Sequence, residues 1–273
     1  MKKLFYLLFF VFGMLIGFHN CSNTTAFDNN NSFEPASNNN DHLTMAVLYQ
    51  QTAAEYRALC YQAFNLARYR LDQSLRIMAL MKQQAIIVDI DETILDNSPY
   101  EAKCVLEDII YPEYWDEWVI RANAEPLPGA LEFLQYASAK GMKVFYVTNR
   151  KEKHRESTLQ NLIKFGFPNA DDEHLLMQMD ESSKKSRREK IAETHSIIML
   201  IGDNLNDFSD VFEKKSVAER FQMADKYKED FGNIFIVLPN AMYGEWESAL
   251  YNYDYSQSPK ARSGIRYSKM KGF

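Results

Sequence analysis

The sequence predicts an α/β protein, a three-layer fold in which helices cover both faces of a parallel sheet. Three features predict it. Short, continuously apolar, β-rich runs alternate with helical stretches, each run ends in polar residues, and a Gly- and Pro-free segment precedes the first of them. A continuous apolar run marks a strand buried on both faces, whereas alternation would mark one wet face. Strands separated by helices read as the crossovers of a parallel sheet.

The chain has 273 residues, 46% hydrophobic and 14% aromatic, enough for one sizeable core. Lys2 and Lys3 precede the apolar run LFYLLFFVFGMLIGF, which stops at His19 and Asn20 just before Cys21. Roughly 15 apolar residues fall short of the ~20 that span a bilayer, so residues 1–20 read as an export signal. Cys21 directly after the run suggests a lipoprotein signal in which that cysteine becomes lipidated. An uncleaved anchor and an ordinary thiol are the alternatives. Cleavage before Cys21 takes the formal charge from −6 to −8, since two lysines and no acid are lost. At a pI of about 5.5 there is no basic footprint for a nucleic acid polymer.

Residues 21–41 are rich in Asn and Ser and cannot bury enough surface to order themselves, so they read as a disordered tether of roughly 25 Å reach. The body is then 42–273. From Thr44 to Gln84 the absence of Gly and Pro predicts one or two long helices, an N-terminal helical region over 42–84. Its aromatics, Tyr49, Tyr56, Tyr61, Phe64 and Tyr69, read as packing residues. Four strands follow, Ala85 to Ile90, Met142 to Asn149, Ser196 to Asn204 and Asn233 to Asn240, giving a Rossmann-like arrangement. ALEFLQYASAK reads as an intervening helix, opened by Pro128 and Gly129 and closed by Gly141. Residues 97–127, between the first two strands, form an insertion carrying Tyr100, Tyr111, Tyr114, Trp115 and Trp118. Cys60 and Cys104, if exported, either pair or stay buried as small apolar side chains.

Every strand ends in chemistry: Asp89 with Asp91, Thr148 with Asn149, Asp203, and Asn240. Ligands of open α/β sheets bind outside the carboxyl ends of the strands, so these residues should share one crevice. Asp89, Asp91, Asp203 and Asp207 would repel there unless a cation joined them, and a hard, oxygen-rich site favours Mg²⁺, one ion per site. A phosphate needs positive partners, which Lys184 or Lys185 supplies, with the hydroxyl and amide at Thr148 and Asn149 as donors.

Other readings fit poorly. DIDETI lacks the Gly that a calcium loop needs at its sixth position, and a D-x-D grip for glycosyl transfer does not predict VTN and GDNLND downstream. Neither Cys60 nor Cys104 has an Arg six residues later, and the chain contains no G-x-S-x-G and no G-K-[ST] loop.

These residues resemble the haloacid dehalogenase superfamily, whose motifs read here as DIDET, VTN, a lysine in SSKK, and GDNLND. They resemble more closely its class C bacterial acid phosphatases, a lipoprotein group, through IIVDIDETILDNSPY, KVFYVTNRK, GDNLNDF, VLYQQTAAEYRALCYQAF and LPNAMYGEWE, from about Thr44 to Glu247. The resemblance implies that Asp89 is the nucleophile, forming an aspartyl-phosphate. It makes Asp91 first general acid and then general base, with its carbonyl a metal ligand; Asp203 completes the ligands and Asp207 supports them. Thr148, Asn149 and Lys184 would bind the phosphoryl oxygens, and Thr93 would brace the nucleophile's loop. The lysine pattern of the group, K-S-x-K followed three residues later by Arg, selects Lys184 with Arg187 over Lys185, although its first lysine is Glu181 here.

An acid two residues after the nucleophile marks hydrolytic members, which points to a phosphomonoesterase. The implied substrates are small phosphomonoesters including nucleoside 5′-monophosphates, held by Tyr243 and by the insertion, with Tyr100 among its aromatics. An acidic optimum follows if Asp91 must start protonated. The implied setting is the cell envelope, periplasmic or lipid-anchored to the outer membrane, with a homodimer left open. A ligand-binding or adhesive surface lipoprotein, and phosphoryl transfer to an alcohol, are the competing functions.

Overall fold

The computed structural model describes residues 39–77 and 82–273. The export signal, Cys21 and the tether up to residue 38 lie outside the described residues. The tether was expected to run to Asp41, but Asn39 and Asn40 already belong to the body. The Asn40 amide donates to the carbonyls of Cys104 and Ile109, and Asn39 donates to Asp108.

Two helices follow, α1 (Thr44–Thr52) and α2 (Ala54–Ile77), broken where Ala53 turns extended at ψ 125°. The sheet has five parallel strands: β1 (Gln83–Val88), β2 (Lys143–Lys151), β3 (Leu175–Gln178), β4 (His195–Gly202) and β5 (Phe235–Val237), in the order β3-β2-β1-β4-β5. The remaining helices are α3 (Ser98–Glu107), α4 (Trp115–Ile120), α5 (Ala130–Ala139), α6 (Arg155–Phe165), α7 (Lys185–Thr194), α8 (Val217–Lys226), α9 (Glu245–Leu250) and α10 (Pro259–Lys269). β3 was not expected from the sequence. It is four residues at the sheet edge, hydrogen-bonded only to β2, and too short to show a period.

Burial on both faces explains the unbroken apolar runs. Ile86 and Val88 of β1, with Val144 and Tyr146 of β2, pack on the α2 and α5 side against Phe64, Leu71, Phe133 and Leu134. Ala85, Ile87, Phe145 and Val147 point the other way, into a second core with Ile191, Phe208, Phe212 and Phe235. Helix α5 buries Ala130, Phe133, Leu134 and Ala137, the i, i+3, i+4, i+7 stripe of one helical face. Gly129 and Gly141 flank it at φ 85° and 87°, the left-handed region that favours glycine.

Chain direction reverses about β1, with β2 on one side and β4 on the other. That is the switch point at which α/β sheets open a crevice. The insertion folds over this end as α3 and α4, with a small core of Tyr100, Cys104 and Ile109 packed by Trp115 and Trp118. Cys60 and Cys104 are both buried free thiols, each pushed up to about 11 chiefly by burial.

Candidate active site

The C-terminal ends of β1 and β4 deliver a cluster of buried acids. Oxygens of Asp89, Asp203 and Asp207 all lie within 4.8 Å of one another. Lys184, the residue capping the start of α7, sends its ammonium between two of them, pairing with Asp89 and reaching Asp207 Oδ1 at 2.7 Å. Lys185 instead lies at the surface on Asp210, which decides between the two lysines by position. Burial by itself would lower Lys184, but Asp207 and Asp89 hold it above its ordinary value.

The acids carry an excess of charge. Burial pushes Asp89 well above the usual carboxylate range, against the pull of Lys184 and with the push of Asp207, Asp203 and Asp91. Asp203 is pushed up to about 7 by burial and by Asp207, despite hydrogen bonds from Asn240 at 2.8 Å and Thr93 at 3.0 Å. Three carboxylates against one ammonium leave two negative charges, the deficit that a single divalent cation fills. All-oxygen donors also suit a hard cation, so the residues fit the metal that the fold class implies.

Asp207 pairs with Lys184 beside Asp89, a placement compatible with the supporting role expected of it. A Cβ on Gly202 would collide with its carboxylate, so the glycine of GDNLND is what lets Asp207 come this close. Its Oδ2 accepts the Asn204 N–H at 3.0 Å. Thr93 donates its hydroxyl to Asp203, and its own N–H closes the turn after Asp89 onto the Ile90 carbonyl at 3.4 Å.

Asp91 stands apart from the triad. Its carboxylate accepts from Arg150 and Asn97, two residues that the sequence reading did not single out. Thr148 is wholly buried, and neighbouring Asn149 lines the cleft. Arg187 ties this loop down, donating to the Thr148 carbonyl at 2.6 Å and to Asn149 Oδ1 at 2.8 Å, which leaves the Asn149 amide nitrogen as a donor. It also donates to the Ser182 and Ser183 carbonyls, so one guanidinium fixes the approach of Lys184 as well. Arg188 does the same for the acidic loop through the carbonyls of Asn206 and Asp207, both at 3.1 Å.

The site opens into a cleft of about 830 Å³ whose lining includes Tyr111 and Trp115 of the insertion and Tyr243 and Tyr255 from beyond β5. Tyr243 is therefore placed to touch a substrate. Tyr100 is not, contrary to expectation: it is 2% exposed, its ring packs edge-on to Trp115, and its hydroxyl donates to the Glu113 carbonyl at 2.9 Å. At the rim Glu101 is pushed up to about 7 by burial and by Glu247.

A first strand that hands a D-x-D pair to a lysine and a second acidic loop at a sheet switch point defines the haloacid dehalogenase class. Within that class the chain belongs to the HAD superfamily, subfamily IIIB (acid phosphatase), whose family profile matches residues 11–246. It is similar to the class C acid phosphatase from Bacillus anthracis at 42% identity and a TM-score of 0.84, over 86% of this chain and 99% of that one. The same protein with tungstate bound matches at 43% identity and 0.84. Acid phosphatase 1 of Solanum lycopersicum is 30% identical over 136 residues, 46% of this chain and 51% of that protein. The chain thus spans about half the length of this plant relative.

Proposed function

We propose that the protein is a Mg²⁺-dependent acid phosphatase that hydrolyses small phosphomonoesters through an aspartyl-phosphate. The reading rests above all on Lys184 and the triad of Asp89, Asp203 and Asp207 meeting where β1 and β4 end. Attack of a carboxylate on a phosphate dianion is an anion meeting an anion. Lys184 would lessen that repulsion at Asp89, and a divalent ion held by Asp89, the Asp91 carbonyl and Asp203 would screen the rest, with Asp207 supporting through its pairing with Lys184. The Asn149 amide and the Lys184 ammonium then hold the phosphoryl oxygens, while Arg187 keeps both in register.

Asp91 gives a proton to the leaving oxygen in the first step and takes one from water in the second. Splitting the displacement in two keeps each barrier lower. The tungstate bound by the Bacillus anthracis relative is an oxyanion, as phosphate is, in keeping with a phosphoryl-binding protein. Tyr243 and Trp115, both lining the cleft, suit a planar leaving group such as a nucleobase, with roughly 1–3 kcal/mol per stacked ring. Export and lipid attachment through Cys21 belong to the same proposal. Radiolabelled palmitate incorporated by the Cys21 protein and not by Cys21→Ser tests them.

Phosphate release from a panel of phosphomonoesters tests the activity directly. Asp89→Asn should abolish it, by about 10⁴-fold or more. Full activity in that variant would dismiss the nucleophile and the reading together.

A further inference from the structure

We propose that the aromatic insertion orients Asp91 for proton transfer through two relays that converge on one carboxylate oxygen: Trp115 over Arg150, and Trp118 through Asn97. The inference deepens the proposed function and rests on Asp91 being its acid. Oδ1 of Asp91 receives three donors, Asn97 Nδ2 and Arg150 Nη2 at 2.8 Å each and Arg150 Nε at 3.0 Å. Oδ2 receives only the long contact from Arg150 Nε at 3.3 Å. An oxygen that accepts three N–H groups has its lone pairs engaged, so Oδ2 is the oxygen open to proton exchange. In the first step Asp89 bonds to phosphorus as the ester P–O bond breaks. The released electron pair stays on the leaving oxygen, which takes the Oδ2 proton.

Neither donor can swing away. The Arg150 side chain is 1% exposed, its Nη1 donates to Thr158 Oγ1 at 3.2 Å, and its guanidinium lies 5.8 Å from the centre of the Trp115 ring. Asn97 is wholly buried, and an amide in its place could flip. Trp118 decides its orientation. Indole N–H can only donate, and it donates to Asn97 Oδ1 at 2.8 Å, which turns the NH₂ toward Asp91. Glu92 completes the frame: its carboxylate accepts the Asn97 backbone N–H at 2.8 Å and Nδ2 at 3.3 Å. Glu92 holds φ at 55°, a left-handed turn that a glutamate adopts only where its surroundings enforce it. Arg150, Asn97 and Trp118 are in this view positioning residues, acting through Asp91.

Leaving groups separate this role from a structural one. An alkyl phosphate needs a proton to depart, whereas the phenolate of 4-nitrophenyl phosphate leaves readily without it. The measurement is kcat/KM of the full, metal-loaded protein on glycerol 2-phosphate and on 4-nitrophenyl phosphate, a ratio that reports the first chemical step. Arg150→Ala should lose about 100-fold on the alkyl ester and no more than about fivefold on the nitrophenyl ester, with guanidinium ions restoring part of the alkyl rate. Trp118→Phe removes only the indole N–H from a ring of similar bulk. It should show the same bias, about tenfold against little change, with its melting temperature nearly intact.

Equal losses on the two esters in Trp118→Phe would overturn the positioning role. Asp91→Asn is the control for the acid itself: if it shows the bias and Trp118→Phe does not, the relays fail while the acid stands. If Asp91→Asn shows no bias, the acid assignment falls and the relays with it.

Discussion

Asp89 and Asp91 leave the same strand two residues apart, yet their surroundings are built on opposite principles. Asp89 sits on a floor of strand ends where three crowded carboxylates have one ammonium among them, Lys184, which pairs with Asp89 and Asp207. Asp91 faces the insertion side, where a buried guanidinium and a buried amide meet its carboxylate. The floor is electrostatically incomplete by itself and the insertion side is complete. The contrast teaches where a cation would be needed, and which carboxylate the proposed proton transfers would fall to.

The largest way to break the contrast is to deepen the imbalance of the floor. Lys184→Met leaves Asp89 and Asp207 buried without their ammonium. Removing one partner of a buried pair costs about 3–5 kcal/mol, and losing a charge that faces the transition state lowers kcat by roughly 10²–10³-fold. Urea unfolding and steady-state rates measure the two effects. Lys185→Met, on the surface pair with Asp210, should move neither. Gly202→Ala is the milder assault: its methyl group pushes Asp207 out of place, and overpacking of this kind costs about 1–3 kcal/mol, read from the urea midpoint.

A smaller effect follows from Asp203. Its folded-state value of about 7 lies above the ordinary 3.8, so the metal-free folded chain binds more protons than the unfolded one between those values. Stability of the metal-free protein therefore falls as pH rises through that window. A divalent ion that binds the ionised acids reverses this by stabilising the folded state. Melting curves from pH 4 to 7, with chelator and with Mg²⁺, should diverge as pH rises. The smallest effect sharpens the insertion side. Tyr100→Phe forfeits the bond to the Glu113 carbonyl, a loss of about 1 kcal/mol in stability, and should leave kcat/KM unchanged for every substrate.

How much of this was legible in the sequence follows the same division. The floor could be read because its residues sit at strand ends, where local texture gives both the strand and its direction: Asp89, Asp203 and Lys184 fall where the motifs put them. How near Asp207 comes was not legible, because its approach depends on the missing side chain of Gly202. The insertion side was opaque. Arg150 stands in plain view in VTNRK, but nothing local distinguishes a buried arginine that reaches back 59 residues from a solvated one. Tyr100 looked like a ligand for a base, yet the helix that opens at Ser98 and Pro99 turns it into the small core. Asn39 and Asn40 have the composition of a tether and were assigned to one. Two carbonyls of the 104–109 turn hold the Asn40 amide, and composition carries no trace of such bonds.

The account turns on one ion closing the charge deficit around Asp89. Calorimetric titration of chelator-stripped protein with Mg²⁺, with phosphate release followed in the same samples, probes this most directly. One ion per chain should bind, activity should rise in step with occupancy, and Asp203→Asn should lose both. Full turnover in excess chelator, or unchanged Mg²⁺ binding by Asp203→Asn, would contradict it.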